Sequence, residues 1–228
     1  MPLFAPDYRQ FPGSRPSNTS WQLYCLYQVQ IINADKEQPV YLGQGEHDII
    51  GSIFARAFAD DPVNRWMFNG AVIQGAYSTL ARWVYIPRGI VYTSRDQTAG
   101  AMWLPPGVKK DLPVAGNLAM AHALVTNGGL GAVKNALIFE QAVMKARPPG
   151  EYYYLGFIAV LPGQQGRGLG GQMMQPGLTL CERDKMPALL ESTKEANIPF
   201  YERFGFKVSR KIEPGHGCPP LWQMWRDS

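Results

Sequence analysis

Seven residues in the last third of the chain, Gln165-Gly166-Arg167-Gly168-Leu169-Gly170-Gly171, carry its densest chemical signal. They follow an apolar run, Tyr152 to Leu161, that reads as a buried strand, and they open a segment that reads as a helix. Glycines at a strand-to-helix junction leave main-chain N–H groups uncovered at a helix N-terminus, where the helix dipole also favours negative charge. The chemistry this predicts is the grip of a phosphate by backbone amides.

More than one ligand fits such a loop. Gly166, Gly168 and Gly171 satisfy the G-x-G-x-x-G spacing of a dinucleotide-binding turn, and Glu191 stands about 20 residues further on, where a ribose-binding acid would sit. The order of the chain opposes this. The fingerprint belongs on the first strand-to-helix turn of a doubly wound sheet, yet here it arrives after about three quarters of the chain, behind a stretch that reads α-α-β-β-α-α. A glycine-rich turn that holds no ligand is the third reading.

Residues 1–20, rich in Pro, Ser, Asn and Gly, read as a flexible arm, and residues 21–228 as a single domain. Trp21 to Ile32 and Val40 to Leu42 read as strands, a candidate hairpin; the first is placed to extend its own sheet or that of a second copy, which would make a homodimer. Ile49, Ile50, Ile53, Phe54, Ala57 and Phe58 form a helical stripe ended by Asp60-Asp61-Pro62. A second helix is predicted from an N-cap at Asn69 to Val84. Gly89 to Thr93 and Ala99 to Leu104 read as a strand pair around the polar turn Ser94 to Thr98. Two helices, Val114 to Val125 and Ala132 to Lys145, flank the break Asn127-Gly128-Gly129. After the glycine loop come a helix to about Lys185, a strand at Ala188 to Ser192, a short helix at Asn197 to Phe204, and strands at Phe206 to Ser209 and Leu221 to Trp225.

The bulk numbers narrow the field. A net charge of +4 without any Lys/Arg run does not suggest nucleic-acid binding. Three distant cysteines, Cys25, Cys181 and Cys218, predict neither a disulfide framework nor a metal site, and they suit a reducing, cytoplasmic setting. The histidines have no metal-ligand spacing. No apolar run is long enough to span a membrane, and no signal-peptide pattern is seen at the N-terminus.

Further residues extend the loop into a longer pattern. Gln165-x-x-Gly168-x-Gly170 after a strand, followed by Asn197 and Tyr201-Glu202-Arg203-Phe204-Gly205-Phe206, resembles the acetyl-CoA-binding half of the GNAT acetyltransferases. From about Arg147 to the C-terminus the chain resembles puromycin N-acetyltransferase-like proteins, through Val160-Leu-Pro-Gly-Gln-Gln-Gly-Arg-Gly-Leu-Gly170, Pro176-Gly177, Leu190-Glu191 and Asn197-Ile-Pro-Phe-Tyr-Glu-Arg-Phe-Gly-Phe206. Ala57-Phe-Ala-Asp-Asp-Pro62 and Ala101-Met-Trp103 resemble their earlier half more weakly. Pro176 would break a helix on sequence logic alone; the resemblance keeps the helix and predicts a kink.

What the resemblance implies is an α/β (α+β) GNAT fold: a mixed, mostly antiparallel sheet flanked by helices and splayed at the acetyl-CoA site. It implies that Gln165, Gly166, Arg167, Gly168, Leu169, Gly170 and Gly171 bind the pyrophosphate, largely through N–H groups. It also implies that Ile158, Ala159 and Val160 bond the pantetheine as a pseudo-strand, with Gly156 a bulge position. Asn197 is expected on the pantetheine or phosphate, or as a helix N-cap. Tyr201 is expected as the general acid that protonates the departing thiolate. Glu191, at the end of its strand beside the splay, is the candidate base for the amine; Glu140, Glu151, Tyr152, Tyr153 and Tyr154 are alternatives that the sequence does not rank. Cys181, mid-helix, reads as core.

The expected activity is direct acetyl transfer, without an acyl-enzyme, to the amine of a small molecule, with an antibiotic-like or toxic amine and a detoxifying role suggested by the resemblance. The acceptor pocket is expected between the helices at 48–58, 71–84 and 114–145 and the last strand. A non-catalytic acyl-CoA sensor and an acetyltransferase of protein amines are the alternatives.

Overall fold

The structure is a computed structural model that describes residues 38–228; the expected arm, the strand Trp21 to Ile32 and Cys25 lie outside the described residues. The strand pattern from Val40 onward closes into one seven-stranded sheet in the order β1-β2-β3-β4-β5-β7-β6. The strands are β1 (Val40–Tyr41), β2 (Ile90–Thr93), β3 (Ala99–Leu104), β4 (Tyr153–Val160), β5 (Ala188–Ser192), β6 (Lys207–Ile212) and β7 (Leu221–Arg226). All neighbours are antiparallel except β4 and β5. That one parallel pair needs a crossover, which α5 (Leu169–Asp184) supplies directly after the glycine loop.

The central strands β2 to β5 are largely buried on both faces, as their near-continuous apolar sequences require, whereas the edge strand β6 is mostly exposed. One face packs against α1 (His47–Ala57), α3 (Gln74–Leu80) and α4 (Val114–Ala146), with Phe54, Tyr77, Tyr85, Met102 and Tyr154 in its core. The other packs against α5, with Tyr92, Trp103, Tyr153, Met173 and Leu190. Strand alternation assigns the sides: Tyr153 belongs to the α5 layer and Tyr154 to the α1/α3/α4 layer. Tyr92 Oη donates to the carbonyl of Met173 at 2.6 Å and ties α5 to the sheet.

Some elements differ from expectation. Asp61-Pro62 does not only end α1; Asp61 caps a further helix, α2 (Pro62–Met67), through a 2.9 Å bond from Asn64 N–H, with Pro62 in its first turn. Asn69 is not the cap of the next helix. It takes a left-handed conformation (φ 52°) after α2, and its Nδ2 donates to the carbonyl of Gly128. α3 starts five residues later, at Gln74, and runs on through a π-helical turn, Ala81–Tyr85, and a last turn, Ile86–Arg88. The two helices around Asn127-Gly128-Gly129 are present as expected; together they span α4 (Val114–Ala146), and the chain leaves helical conformation between them at Gly129 (φ 71°, ψ −175°). Helix α5 continues across Pro176.

The opening of the sheet is what makes a site. β4 pairs with β3 along its length, but with β5 only at Tyr153↔Ala188, Tyr154↔Leu189 and Leu155↔Leu190. Beyond Leu155 the strands part. Gly156 sits at that point as a bulge: Leu155 faces Trp103 and Phe157 faces Met102, leaving Gly156 without an opposite residue. A Cβ on Gly156 would lie 2.0 Å from Tyr85 Oη, inside the fully buried core. Gly156→Ala is therefore expected to lower stability by about 1–3 kcal/mol through overpacking, read as a lower urea midpoint at unchanged m-value. An unchanged midpoint would mean that Tyr85 yields the space freely.

Candidate active site

The glycine loop enters α5 through Gly168, the N-cap residue, in a left-handed conformation (φ 83°) and with no side-chain cap. The first-turn N–H groups of a helix have no partner within it. Here those of Gly168, Leu169, Gly170 and Gly171 donate to no described acceptor. Gly166 (φ 79°) and Gly168 would each place a Cβ in open space, with nothing within 4 Å. Bare amides, a helix N-terminus and empty space in front of them suit an anionic group. Arg167 adds less than its charge promises: its guanidinium donates to Gln164 Oε1, and its side chain is on the exposed surface.

A cavity of about 930 Å³ starts at this loop and runs along the gap between β4 and β5. Gln165, Gly166, Gly168, Leu169, Gly170 and Gly171 line its mouth, and Ile158, Ala159 and Val160 its strand wall. On the β5 side, the main chain of Gly156 to Val160 has no strand partner. An extended chain with amide groups could pair there as an added strand. Asn197 lies on the opposite rim, at the cap position of α6 (Ile198–Glu202), but its side chain makes no capping bond and stays available.

Tyr201 and Glu191 both line this same cavity. The Tyr201 ring packs on Phe200 (5.1 Å between centroids) and Phe206 (6.3 Å). Its hydroxyl bonds to no described residue. Burial, with the Asp61 carboxylate adding, holds its pKa well above the usual phenol range, so it keeps its proton at neutral pH and acts as a donor.

Glu191 is gripped on one side only. Tyr154 Oη donates to Oε2 at 2.7 Å, whereas Oε1 is buried and has no partner. Burial raises its pKa, against the lowering effects of Tyr154, Arg147, Lys110 and Gln223. A carboxylate raised in this way is a better-matched base at neutral pH than a free one. The Arg147 guanidinium lies over the Tyr154 ring at 4.5 Å and fixes the donor from behind.

The other candidate bases are accounted for by contacts invisible in sequence. Glu140 lines the cavity but pairs with Lys110 at 3.3 Å, which holds its pKa low. Tyr153 faces the other core and donates to Asp184 Oδ2 at 2.5 Å. Tyr152 packs edge-on against Trp225, and Glu151 is exposed ahead of β4. Cys181 is buried, which pushes its thiol up to about 12 and leaves it unsuited as a nucleophile.

Sequence reasoning missed Asp61, Lys110, Arg147 and Thr193 at this site. Asp61 is 1% exposed, lines the cavity and accepts from Asn64 N–H and from Thr193 Oγ1. With Lys194 Nζ on Asp60 at 2.9 Å, it ties the loop after β5 to the α1–α2 turn. The Asp-Pro cap signature and the weak resemblance of Ala57-Phe-Ala-Asp-Asp-Pro62 were the signals available for Asp61. Helices α1, α3 and α4 and Leu221 of β7 close the inner end of the cavity. Among the described residues no group of His, Cys, Asp or Glu could hold a metal ion, and no helix is long and apolar enough to cross a membrane.

Comparison with known proteins converges on this arrangement. Residues 130–208, which include the glycine loop, Glu191 and Tyr201, match the family model described as an acetyltransferase (GNAT) domain. An uncharacterized N-acetyltransferase of Schizosaccharomyces pombe is 25% identical over 170 residues, 68% of each chain. The fold is shared with a structure from Corynebacterium glutamicum described as histone acetyltransferase HPA2 and related acetyltransferase, at 21% identity and a TM-score of 0.61 over 84% of this chain and 97% of that one. It is also shared with a polyamine N-acetyltransferase of Drosophila melanogaster, at 14% identity and a TM-score of 0.55 over 83% of this chain and 99% of that one. The glycine loop, the edge where β4 parts from β5, Glu191 and Tyr201 thus fall within the stretch that matches an acetyltransferase (GNAT) domain, and the fold is that of the acetyltransferases compared.

Proposed function

We propose that the protein transfers an acetyl group from acetyl-CoA to the amine of a small molecule, by direct transfer with both substrates bound. The observation that carries this is a single cavity that joins the unpartnered amides of Gly168 to Gly171, the free edge of β4, Tyr201 and Glu191. The loop N–H groups hold the diphosphate, Ile158 to Val160 bond the pantetheine arm, and Asn197 bonds it from the opposite rim. Acetyl-CoA supplies the thioester. Glu191 accepts a proton from the acceptor nitrogen; the N–C bond forms as the C–S bond breaks, and Tyr201 donates its proton toward the leaving sulfur. The products are an N-acetyl amide and the free thiol of CoA.

The resemblance to puromycin N-acetyltransferase-like proteins extends this proposal to an antibiotic-like or toxic amine and a detoxifying role inside the cell. An acyl-CoA sensor would need no base, yet the cavity is lined by Glu191, a carboxyl group with one oxygen that has no described partner.

Thermal denaturation with acetyl-CoA, CoA and NAD(P) tests the reading. At ligand about a hundred times above Kd, the CoA species should raise Tm by about 5–10 °C and NAD(P) should not. Stabilisation by NAD(P), or by none of these ligands, would refute the coenzyme assignment. Release of free thiol on adding amines then separates an enzyme from a sensor.

A further inference from the structure

The charges of the cavity restrict the acceptor. Three carboxylates line it: Asp61, Glu140 and Glu191. Glu140 is paired with Lys110 at 3.3 Å. Asp61 has both oxygens engaged, one capping α2 and the other taking the Thr193 hydroxyl. Only Glu191 presents a buried oxygen with no partner. An ammonium ion removed from water needs such an oxygen, and each further cation would need another.

The walls restrict it again. Phe58, Tyr77 and Phe157 line the inner chamber and touch one another, with Tyr77 edge-on to Phe157 at 5.7 Å and Phe58 5.9 Å from Tyr77. Apolar side chains of α2 and α4, such as Met67 and Leu124, extend this surface. Lys110, among the cations that line the cavity, lies 5.9 Å above the Phe157 ring and would repel a second ammonium there.

We infer that the acceptor is a monoamine with an apolar, ring-sized body: its nitrogen meets the Glu191 carboxylate, and its body fills the chamber of Phe58, Tyr77 and Phe157. A di- or polyamine finds no second carboxylate with an unengaged oxygen, since its other charge would have to displace Asn64 N–H or the Thr193 hydroxyl from Asp61 or Lys110 from Glu140, and a peptide would leave its backbone polar groups facing apolar walls. The inference rests on the acetyl-transfer reading above.

The test compares thiol release from acetyl-CoA with 2-phenylethylamine, 1,4-diaminobutane, a lysine-containing peptide and n-alkylamines from butyl to hexyl. The expected kcat/KM for 2-phenylethylamine exceeds that for the diamine and the peptide at least about tenfold, since burying an unpaired second charge is costly. Along the alkylamines it should rise about threefold per methylene. Equal or better turnover of the diamine or the peptide would overturn the monoamine assignment and leave acetyl transfer standing. Stabilisation by acetyl-CoA without thiol release from any amine would overturn both.

A variant gives an independent check. Lys110→Met frees Glu140 and supplies the missing carboxylate, so the diamine-to-monoamine ratio of kcat/KM should rise about tenfold. The Lys110→Met/Glu140→Gln double variant removes both charges and should return the ratio to that of the parent. A ratio that does not move in Lys110→Met, or that stays high in the double variant, would overturn the charge argument.

Discussion

Tyr201→Phe is expected to lower kcat by about 10²–10³-fold while the Kd of acetyl-CoA stays within about threefold. The separation follows from how the residue is held. The ring is fixed by Phe200 and Phe206, contacts that phenylalanine keeps. The hydroxyl bonds to no described residue, so its removal leaves no protein group unsatisfied and costs little stability. What is lost is a donor that retains its proton across the neutral range because burial and Asp61 oppose its ionisation. The bare amides of Gly168 to Gly171 and the free edge of β4, on which the proposed coenzyme grip rests, are untouched. Single-turnover rates with calorimetric Kd values separate the two quantities. An unchanged kcat would remove Tyr201 from the chemistry, and a parallel loss of affinity would make it a binding residue instead.

The parts of the site that act through the main chain were the parts legible in sequence. A loop of bare amides announces itself as Gly166 and Gly168, both left-handed with open space where a Cβ would stand, while a Cβ on Gly170 would instead press on Phe200 at 3.0 Å. The opening of the sheet was half legible: Gly156 stood out as a bulge position, but the reason lies in Tyr85, 71 positions earlier, whose hydroxyl occupies the space of a Cβ. The retention of Pro176-Gly177 inside α5 has a similar cause. A Cβ on Gly177 would come within 2.2 Å of the Trp103 indole, so glycine lets the helix lie directly on β3. The side-chain network was the least legible part. Tyr154 and Glu191 lie on different strands, and only the parallel β4–β5 register brings them to 2.7 Å. Glu140 stood in sequence as an alternative to Glu191; Lys110, from the loop after β3, neutralises it. Local boundaries slipped where tertiary contacts outweighed propensity: Asn69, a good cap by composition, turns back to bond Gly128 instead.

Glu191→Gln separates the base from its scaffold. Glutamine keeps an oxygen for the Tyr154 hydroxyl and nearly the same volume, but it cannot take a proton. With a monoamine acceptor, kcat is expected to fall by about 10²–10³-fold. The pH profile should change with it. Glu191 must be ionised to act, and burial lifts its pKa above the ordinary 4.5, so the parent enzyme loses activity as pH falls through that raised value. The groups around it set how far it moves: Tyr154 and Tyr152 on and beside β4, Arg147 at the end of α4, Lys110 and Glu140 beyond, Tyr85 from the π-helical turn, and Gln223 across β7. In the variant this acid limb should vanish, leaving the titration of the amine itself. Stability runs the other way. A carboxyl that holds its proton more tightly when folded contributes stability below its unfolded pKa, and that contribution is lost as pH rises through the folded value. The variant has no such charge to bury, so it should match the parent in acid and exceed it in urea midpoint at pH 8. Loss of activity with gain of stability is the signature of a strained functional group. Should kcat instead fall less than about tenfold with the acid limb intact, the proton leaves by another route. Asp61, the cavity carboxylate with no described cationic partner, would then be the group to change next.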